Sequence, residues 1–156
     1  MNKTTIILTS LLLTSCHAVN PPQAPQYDRY AKQIVFRADP ENHHNTKDHG
    51  AVAMYVHETP FVFYNPAWFS SMPEEAQTFF FQHEVAHFRL KHLDSYASAS
   101  VKQRMRFEMQ ADCHSMLYLQ NRLQYAPAQF ERIYDHASFH IEEERAKNLL
   151  NCLTLK

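Results

Sequence analysis

Two histidines and a glutamate with the spacing of a metal site lie within residues 83–87 of this chain. His83 and His87 are four residues apart, and Glu84 directly follows the first of them. On a helix, side chains four residues apart lie on the same face, one turn apart. Two neutral imidazoles in this arrangement can bind one Zn²⁺, and the glutamate then lies near the open coordination position. The spacing therefore predicts a zinc site with hydrolytic chemistry, most often that of a peptidase.

The residues around this pattern argue against a chance match. The chain has 11 His among 156 residues, so about one such chain in twenty would contain the pattern through composition alone. The flanking residues are apolar on nearly every side of the predicted helix, which indicates a buried helix. They are Phe79, Phe80, Phe81, Val85, Ala86, Phe88 and Leu90. Polar side chains inside such a helix are costly without a partner, and a metal ion is the natural one.

A second helical stretch, expected at about residues 101–123, offers the third ligand. Glu108 lies 21 residues after His87, and Asp112 follows it one helical turn later. One carboxylate can bind the metal while the other accepts the remaining ring N–H of a ligand histidine. The alternative is an acidic face in solvent. Apolar neighbours favour a half-buried helix and hence the ligand: Met105, Phe107, Met109, Ala111, Met116, Leu117 and Leu119.

Taken together, these residues resemble the gluzincin metallopeptidases. His83-Glu84-x-x-His87 followed by Glu108-x-x-Ala111-Asp112 is most similar to the HtpX-like and CAAX-protease-like branch and its minimal soluble relatives. The resemblance implies one Zn²⁺ per chain, bound by His83, His87 and Glu108. It also implies Glu84 as the general base and Asp112 as the residue that orients a ligand histidine.

The resemblance covers about residues 50–125, roughly half of the chain. It includes the asparagine–proline turn of residues 64–69, which precedes the metal helix. The chain departs from that branch in two respects: we expect no transmembrane helix, and Cys113 stands where those proteases often carry a basic residue. The second departure leaves open which group stabilises the transition state. Tyr134, His136 and His140 are the candidates, since related enzymes place such groups C-terminal to the glutamate ligand.

The spacing excludes a metzincin site. That class requires a third histidine six residues after the second and a glycine between them, whereas this chain has Leu93 and Leu90 there. His92 is one residue away from the required position, which rotates it by about 100° around a helix. We expect His92 either to be exposed or to lie just outside the ligand set, near the helix C-terminus, where positive charge is favourable.

The N-terminal residues are typical of a bacterial lipoprotein signal. Lys3 precedes an apolar run, residues 6–13, that is too short to span a bilayer. Residues 13–16, Leu-Thr-Ser-Cys, resemble a lipobox in which Cys16 is lipidated and becomes the first mature residue. The alternative is an ordinary secretory signal cleaved after Ala18.

We therefore expect residues 1–15 to be a signal and residues 16–26 a Pro-rich tether. The lipid would anchor the chain to a membrane of the bacterial envelope. The periplasmic face of the outer membrane is the expected location, because no aspartate follows Cys16 to indicate retention at the inner membrane.

Charge gives no support for nucleic-acid binding. Of the 15 basic residues, Lys3 lies in the signal, so 14 remain against 16 acidic residues. A nearly neutral chain does not attract a polyanion. The expected partners are a protein or peptide substrate and the membrane, while the sequence does not predict an oligomeric state.

Two cysteines remain after lipidation, Cys113 and Cys152. In an oxidising compartment they could form a disulfide that ties the C-terminal segment to the helix of Glu108. The alternative is two buried thiols that are too far apart to bond. Cys113 is about 140° around the helix from Glu108 and should not bind the metal.

About 140 mature residues can bury one core, so residues 27–156 are expected to form a single α+β domain. We expect a helical zincin-type minimal metallopeptidase with a small antiparallel hairpin. The predicted elements include a strand at 33–37, a polar loop at 39–50, and strands 51–57 and 61–64 joined by a turn at 58–60. The metal helix is expected to be capped by Ser70 or Ser71, with Pro73 in its first turn. Further helices are expected at 101–123, 127–134 and 138–150.

The expected function is zinc-dependent peptide hydrolysis with Glu84 as the general base. An extended substrate would lie beside a strand, for which residues 61–64 are the candidate. Two alternatives belong to other classes: an adaptor or holdase that keeps zinc without catalysis, and a zinc-binding or delivery protein. The delivery protein would use the loop histidines His43, His44 and His49. Glu84 favours the enzyme over the adaptor, because an inactive protein does not need that carboxylate.

Overall fold

The computed structural model describes residues 34–153, except for the side chains of residues 48 and 49. The predicted signal, Cys16 and the Pro-rich tether lie outside the described residues and stay predictions. Within residues 34–153 the chain has the expected α+β fold, in which a small sheet packs against helices. None of the helices in this range is both long and apolar enough to cross a membrane.

Three short strands form a mixed sheet in the order β1-β3-β2. β1 spans Val35–Ala38, β2 spans Ala51–Val56 and β3 spans Thr59–Tyr64. β2 and β3 form the predicted antiparallel hairpin, but β1 runs parallel to β3. The expectation of an antiparallel sheet is therefore correct for the hairpin and wrong for β1. Parallel pairing needs a long crossover connection, which alternation along a strand does not reveal.

The hairpin turns at His57 and Glu58 and not at residues 58–60 as predicted. Both residues have positive φ, 48° and 66°, as in a two-residue type I′ turn, whose twist matches that of the strands. Pro60 lies inside β3, opposite Tyr55. The conformation of the turn therefore determines where β2 ends and β3 begins, and Pro60 does not mark that boundary.

Six α-helices lie within residues 34–153. They are α1 (Thr46–His49), α2 (Pro66–Ser70), α3 (Glu74–Arg89), α4 (Val101–Asn121), α5 (Pro127–Ala137) and α6 (Glu143–Asn151). Two 3₁₀ turns, His92–Asp94 and Tyr96–Ser98, connect α3 to α4. The four longest helices, α3 to α6, correspond to the predicted ones with shifted ends. Residues 138–142, predicted to begin the last helix, precede α6, and the predicted loop at 39–50 ends in α1.

Local sequence explains where the two site-bearing helices begin. Pro73 is the N-cap of α3, and the first turn that follows is acidic, as the helix dipole favours. The prediction that Ser70 or Ser71 caps this helix is wrong, because Ser70 ends α2 and Ser71 is the residue after it. Ser100 begins α4 with a capping box, which satisfies backbone N–H groups that have no partner within the helix.

The metal helix α3 is buried, as its composition predicts. It packs against β2, β3, α4 and α5, and it contributes much of the apolar core. Its buried apolar residues are Ala76, Phe79, Phe80, Phe81, Val85, Ala86 and Phe88. Full burial of one large apolar side chain contributes about 1.5–3 kcal/mol, so the core fixes the position of this helix firmly.

A disulfide ties α6 to α4. Cys113 and Cys152 are bonded to each other, which confirms the first of the two possibilities that the sequence leaves open. α6 packs against both α4 and α5, and Leu149 is fully buried in that contact region. This packing brings Arg145, near the start of α6, to Glu108 and Asp112 on α4.

Candidate metal centre

His83, His87 and Glu108 form a compact group at the contact between α3 and α4. One ligand atom from each residue lies within 4.8 Å of the other two. The Nε2 atoms of the two histidines are 3.1 Å apart, and Glu108 Oε2 is 3.1 Å from His83 Nε2. Both histidines are buried and Glu108 is half-buried. The three predicted ligands are thus brought together, and the group could bind a metal ion.

Asp112 contacts His83, and Arg145 contacts Asp112 in turn. His83 Nδ1 lies 2.8 Å from Asp112 Oδ1, so the ring donates its Nδ1–H to the carboxylate and presents Nε2 to the cluster. Arg145 donates two hydrogen bonds to the same carboxylate, from Nε to Asp112 Oδ2 and from Nη2 to Asp112 Oδ1, each 2.9 Å long. The place predicted for Asp112, beside a ligand histidine, is the one observed. Such a contact fixes the ring orientation for metal binding.

These contacts set the charges in the metal-free protein. Burial by itself would lower the pKa of His83, but Asp112 and Glu108 outweigh it and raise that pKa to about 10. Burial would raise the pKa of Asp112, yet His83 and Arg145 together hold it below its ordinary value. A proton on His83 Nε2 can be shared with Glu108, 3.1 Å away. The centre of the cluster therefore requires a positive charge, which either a proton or a metal ion can supply.

His87 is oriented by a chain of neutral groups. His87 Nδ1 lies 3.2 Å from His92 Nδ1, and His92 Nε2 lies 3.1 Å from Gln110 Oε1. Because the Gln110 oxygen can only accept a hydrogen bond, His92 carries its proton on Nε2, and its Nδ1 accepts a hydrogen bond from the Nδ1–H of His87. His87 Nε2 is then left with a lone pair that points into the cluster. Both ligand histidines thus present the same nitrogen to a metal.

This arrangement decides between the two expectations for His92. It is buried against the Phe107 ring, 4.5 Å between centroids, and lies just outside the ligand set, so exposure is ruled out. Burial, together with the neighbouring His87, lowers the pKa of His92 to about 4. The positive charge expected near the helix end is therefore absent near neutral pH.

Glu108 is held by two further residues. Tyr96, in the second 3₁₀ turn, donates its hydroxyl hydrogen to Glu108 Oε1 at 2.8 Å, and Arg145 Nη1 lies 3.4 Å from Oε2. Burial would raise the pKa of Glu108, but the hydrogen bond from His83, together with the neighbouring His87, places it far below the ordinary value. Burial and the adjacent Glu108 raise the pKa of Tyr96. At neutral pH Glu108 is thus an anion and Tyr96 a donor.

Tyr96 and Arg145 belong to the site but were missed by reasoning from the sequence. Tyr96 lies in a turn without helical or strand periodicity, so no pattern marks it. Arg145 lies in a charged stretch that is typical of an exposed helix start. A signal does exist for Arg145: it is four residues before Leu149 and seven before Cys152, which places it on the apolar face of α6.

A cleft of about 480 Å³ opens on the metal centre. Glu84 lines it beside His83, His87 and Glu108. Of the three candidates for transition-state stabilisation, His140 lines this cleft. Tyr134 packs against the hydrophobic core instead, and the His136 ring contacts that of His140. His140 is therefore the one of the three whose position suits that role.

The outer edge of β2 forms one wall of the cleft through Ala51, Val52 and Ala53. In an antiparallel ladder, hydrogen-bonded pairs of residues alternate with pairs that are not hydrogen-bonded. The pair Gly50 and Asn65 is bonded, because Asn65 N–H donates to Gly50 O. The next pair, Ala51 and Tyr64, is therefore not bonded, and neither is Ala53 with its partner in β3. The backbone groups of Ala51 and Ala53 consequently point away from the sheet. The prediction that residues 61–64 flank a substrate is wrong, because β3 lies between the other two strands.

Among the described residues, His83, His87 and Glu108 make up the one group of three or more side chains that could hold a metal ion. His43 and His44 instead contact Asp39, whose carboxylate accepts hydrogen bonds from the backbone N–H of both. This gives no support to metal delivery by the loop. Comparisons with protein-family models, curated proteins and solved structures find no match to this chain.

Proposed function

We propose that this chain is a zinc-dependent endopeptidase of the gluzincin type. The proposal rests chiefly on one observation: two imidazole nitrogens and a carboxylate converge in a cleft that also holds Glu84 and an unpaired strand edge. A purely structural metal site is typically closed by four protein ligands, whereas a catalytic one leaves a position open. Three converging ligands that face a cleft fit the second kind.

Zinc suits this set of donors, since nitrogen and oxygen ligands in a three-ligand arrangement are typical of hydrolytic zinc sites. When bound, the ion would polarise the scissile carbonyl and make a water molecule more acidic. His83, His87 and Glu108 would hold it. Asp112 and His92 would keep the two imidazoles in the tautomer that has a free Nε2.

Glu84 would act as the general base. It follows His83 directly on α3 and faces the same cleft, so its carboxylate can take the proton of the attacking water and deliver it to the leaving amine. A buried helix fixes the backbone of Glu84, which keeps the base in place. His140 would donate a hydrogen bond to the oxygen of the carbonyl under attack.

The substrate would bind as an extended strand along β2. Ala51 and Ala53 offer backbone N–H and C=O groups to the cleft, and their small side chains let another chain approach. A peptide could therefore add to the sheet as a fourth strand and bring its backbone past the metal. This mode of binding favours unfolded segments and peptides over compact proteins.

The proposed location follows from the N-terminal sequence. Lipidation at Cys16 would attach the chain to a membrane, at the periplasmic face of the outer membrane, and residues 16–26 would tether the catalytic domain to it. Replacing Cys16 by Ser should prevent incorporation of labelled fatty acid. A chain that carries no label and begins at Val19 would instead be an ordinary secreted protein.

One pair of variants tests the function. Glu84→Gln should keep the bound zinc and the fold but lose peptide cleavage by about two to four orders of magnitude, because an amide cannot accept a proton. Glu74→Gln, an exposed change on the same helix, is the matched control and should cleave normally. Equal cleavage by both would disprove the role of Glu84. Tightly bound zinc without cleavage of any peptide in a broad library would support the adaptor or holdase.

A further inference from the structure

The wall of the cleft beside the metal centre is aromatic. Trp68 on α2, Phe80 on α3 and His140 before α6 all line it. The Trp68 ring stands edge-on to Phe80 at 4.9 Å and to His140 at 5.3 Å. Phe80 is buried and so acts as a fixed support, whereas Trp68 is partly exposed and offers its remaining surface to the cleft.

Gly50 sets the position of the Trp68 ring. It is the only glycine of the chain, and Trp68 is the only tryptophan. A Cβ on Gly50 would overlap the six-membered ring of Trp68, and its φ of +73° is also one that side chains disfavour. The indole therefore lies against bare backbone at the point where β2 begins. This close approach holds the ring beside the strand edge proposed to bind the peptide.

The aromatic wall includes a residue that lies about one helical turn from His83, a member of the candidate metal centre. Phe80 precedes His83 by three residues and Glu84 by four, so all three project from one face of α3. One helical turn is about 5.4 Å along the axis, whereas neighbouring residues of an extended peptide are about 3.4 Å apart. A side chain close to the scissile bond can therefore reach Trp68 while the backbone lies along β2.

We propose that Trp68, Phe80 and His140 form a specificity subsite that binds a large apolar side chain, aromatic or leucine-like, next to the scissile bond. This inference rests on the proposed peptidase function and deepens it by naming the preferred substrate. Ala51, Ala53 and Ile141 line the same cleft, whose volume of about 480 Å³ leaves room for such a side chain. Burial of a large apolar side chain against the indole supplies binding free energy that burial of an alanine side chain does not.

A sugar ring is the other ligand that stacks on tryptophan. The lining favours the peptide, because a saccharide also needs polar side chains around the ring for its hydroxyl groups. Of the rings that contact Trp68, those of Phe69, Phe80 and His140, only that of His140 carries a hydrogen-bonding group. The unpaired edge of β2 is a partner for a peptide backbone and not for a sugar.

The single tryptophan provides a binding signal that does not depend on catalysis. We suggest titrating the zinc-loaded Glu84→Gln chain with alanine hexapeptides in which Phe, Leu or Asp replaces each alanine in turn, while recording tryptophan emission. At one position, the Phe and Leu peptides should bind at least about tenfold tighter than the all-alanine peptide and shift the emission. The Asp peptides should gain nothing, and a chitin trisaccharide should leave the emission unchanged.

Variants of the wall complete the test, with binding measured by calorimetry in the Glu84→Gln background. Trp68→Ala should abolish the preference for Phe over Ala, and Trp68→Phe should retain part of it while preserving the packing. Phe139→Ala is the matched control, because Phe139 is 85% exposed beside His140 and does not belong to the proposed subsite. The Phe139→Ala chain should prefer the Phe peptide over the Ala peptide as strongly as the chain without this substitution.

Each contrary result has a distinct meaning. Cleavage of all peptides with equal binding of Phe and Ala would overturn the subsite and leave the peptidase intact. Loss of the preference in Phe139→Ala but not in Trp68→Ala would also overturn it. Emission that responds to the trisaccharide and to no peptide would overturn both the subsite and the proposed substrate class.

Discussion

Replacement of Arg145 by Leu tests whether the buried charges around the metal centre depend on one guanidinium. The side chain of Arg145 is 11% exposed and that of Asp112 is fully buried. Two hydrogen bonds of 2.9 Å join them, and Arg145 also lies near Glu108. Removing the arginine would leave two carboxylates in a site where only His83 can offset their charge.

The expected cost is large for a single substitution. Breaking a buried ion pair by removing one partner destabilises a protein by about 3–5 kcal/mol, because the other charge stays buried without compensation. Domains of this size unfold with about 5–15 kcal/mol, so the variant should fold at 25 °C but unfold at much lower urea concentration. Urea unfolding followed by circular dichroism, with a chelator present, measures the difference. Added zinc should reduce this difference in the free energy of unfolding, since the ion replaces part of the lost positive charge.

The chain offers a matched control in a second arginine–carboxylate pair. Arg132 bonds to Glu75 through two nitrogens, but its side chain is 49% exposed, so solvent already weakens that interaction. Arg132→Leu should leave the urea midpoint almost unchanged. An equal loss in both variants, or a loss of less than about 1 kcal/mol for Arg145→Leu, would refute the view that Arg145 holds the site together.

Three further results are expected. In the metal-free chain the pKa of His83 is raised, so the folded state keeps a proton that the unfolded state releases. The free energy of unfolding should therefore fall as the pH rises from about 6.5 to 10. A urea midpoint that stays constant across that range would contradict this prediction. Reduction of Cys113–Cys152, which closes a loop of 39 residues, should lower the free energy of unfolding by about 4 kcal/mol, and an unchanged midpoint with dithiothreitol would exclude this. His92→Phe should weaken zinc binding about 10- to 100-fold in a chelator competition, whereas His92→Asn, whose amide oxygen can still accept a hydrogen bond from His87, should weaken it less. Equal losses would indicate that packing alone matters.

The parts of the site that the sequence predicts share a physical basis. His83, His87, Glu108 and Asp112 lie on two helices, and helical periodicity alone determines which of their side chains share a face. Contact between the helices then follows from their apolar flanks. The ligand group could therefore be predicted without knowledge of the sheet or of α6.

The parts that could not be predicted depend on contacts distant in sequence. β1 pairs with β3 in parallel, and only the path of the connecting chain decides that orientation. Tyr96 reaches Glu108 from a 3₁₀ turn whose conformation follows no repeat. The strand beside the substrate is predicted at residues 61–64, in β3, but the sheet has β2 at its edge, since the alternation of side chains does not determine the order of strands in a sheet.

The charges around the cluster also bear on the proposed reaction. Glu108 and Asp112 are both anions close to His83, so they would together neutralise a divalent ion. Arg145, which contacts both carboxylates, adds one positive charge, which offsets the carboxylate of Glu84 in the same cleft. The charges of these four side chains and of the proposed ion would therefore cancel. In the proposed reaction, Arg145 would limit the negative charge near a carbonyl oxygen under attack, although a contact with the substrate is not required for this.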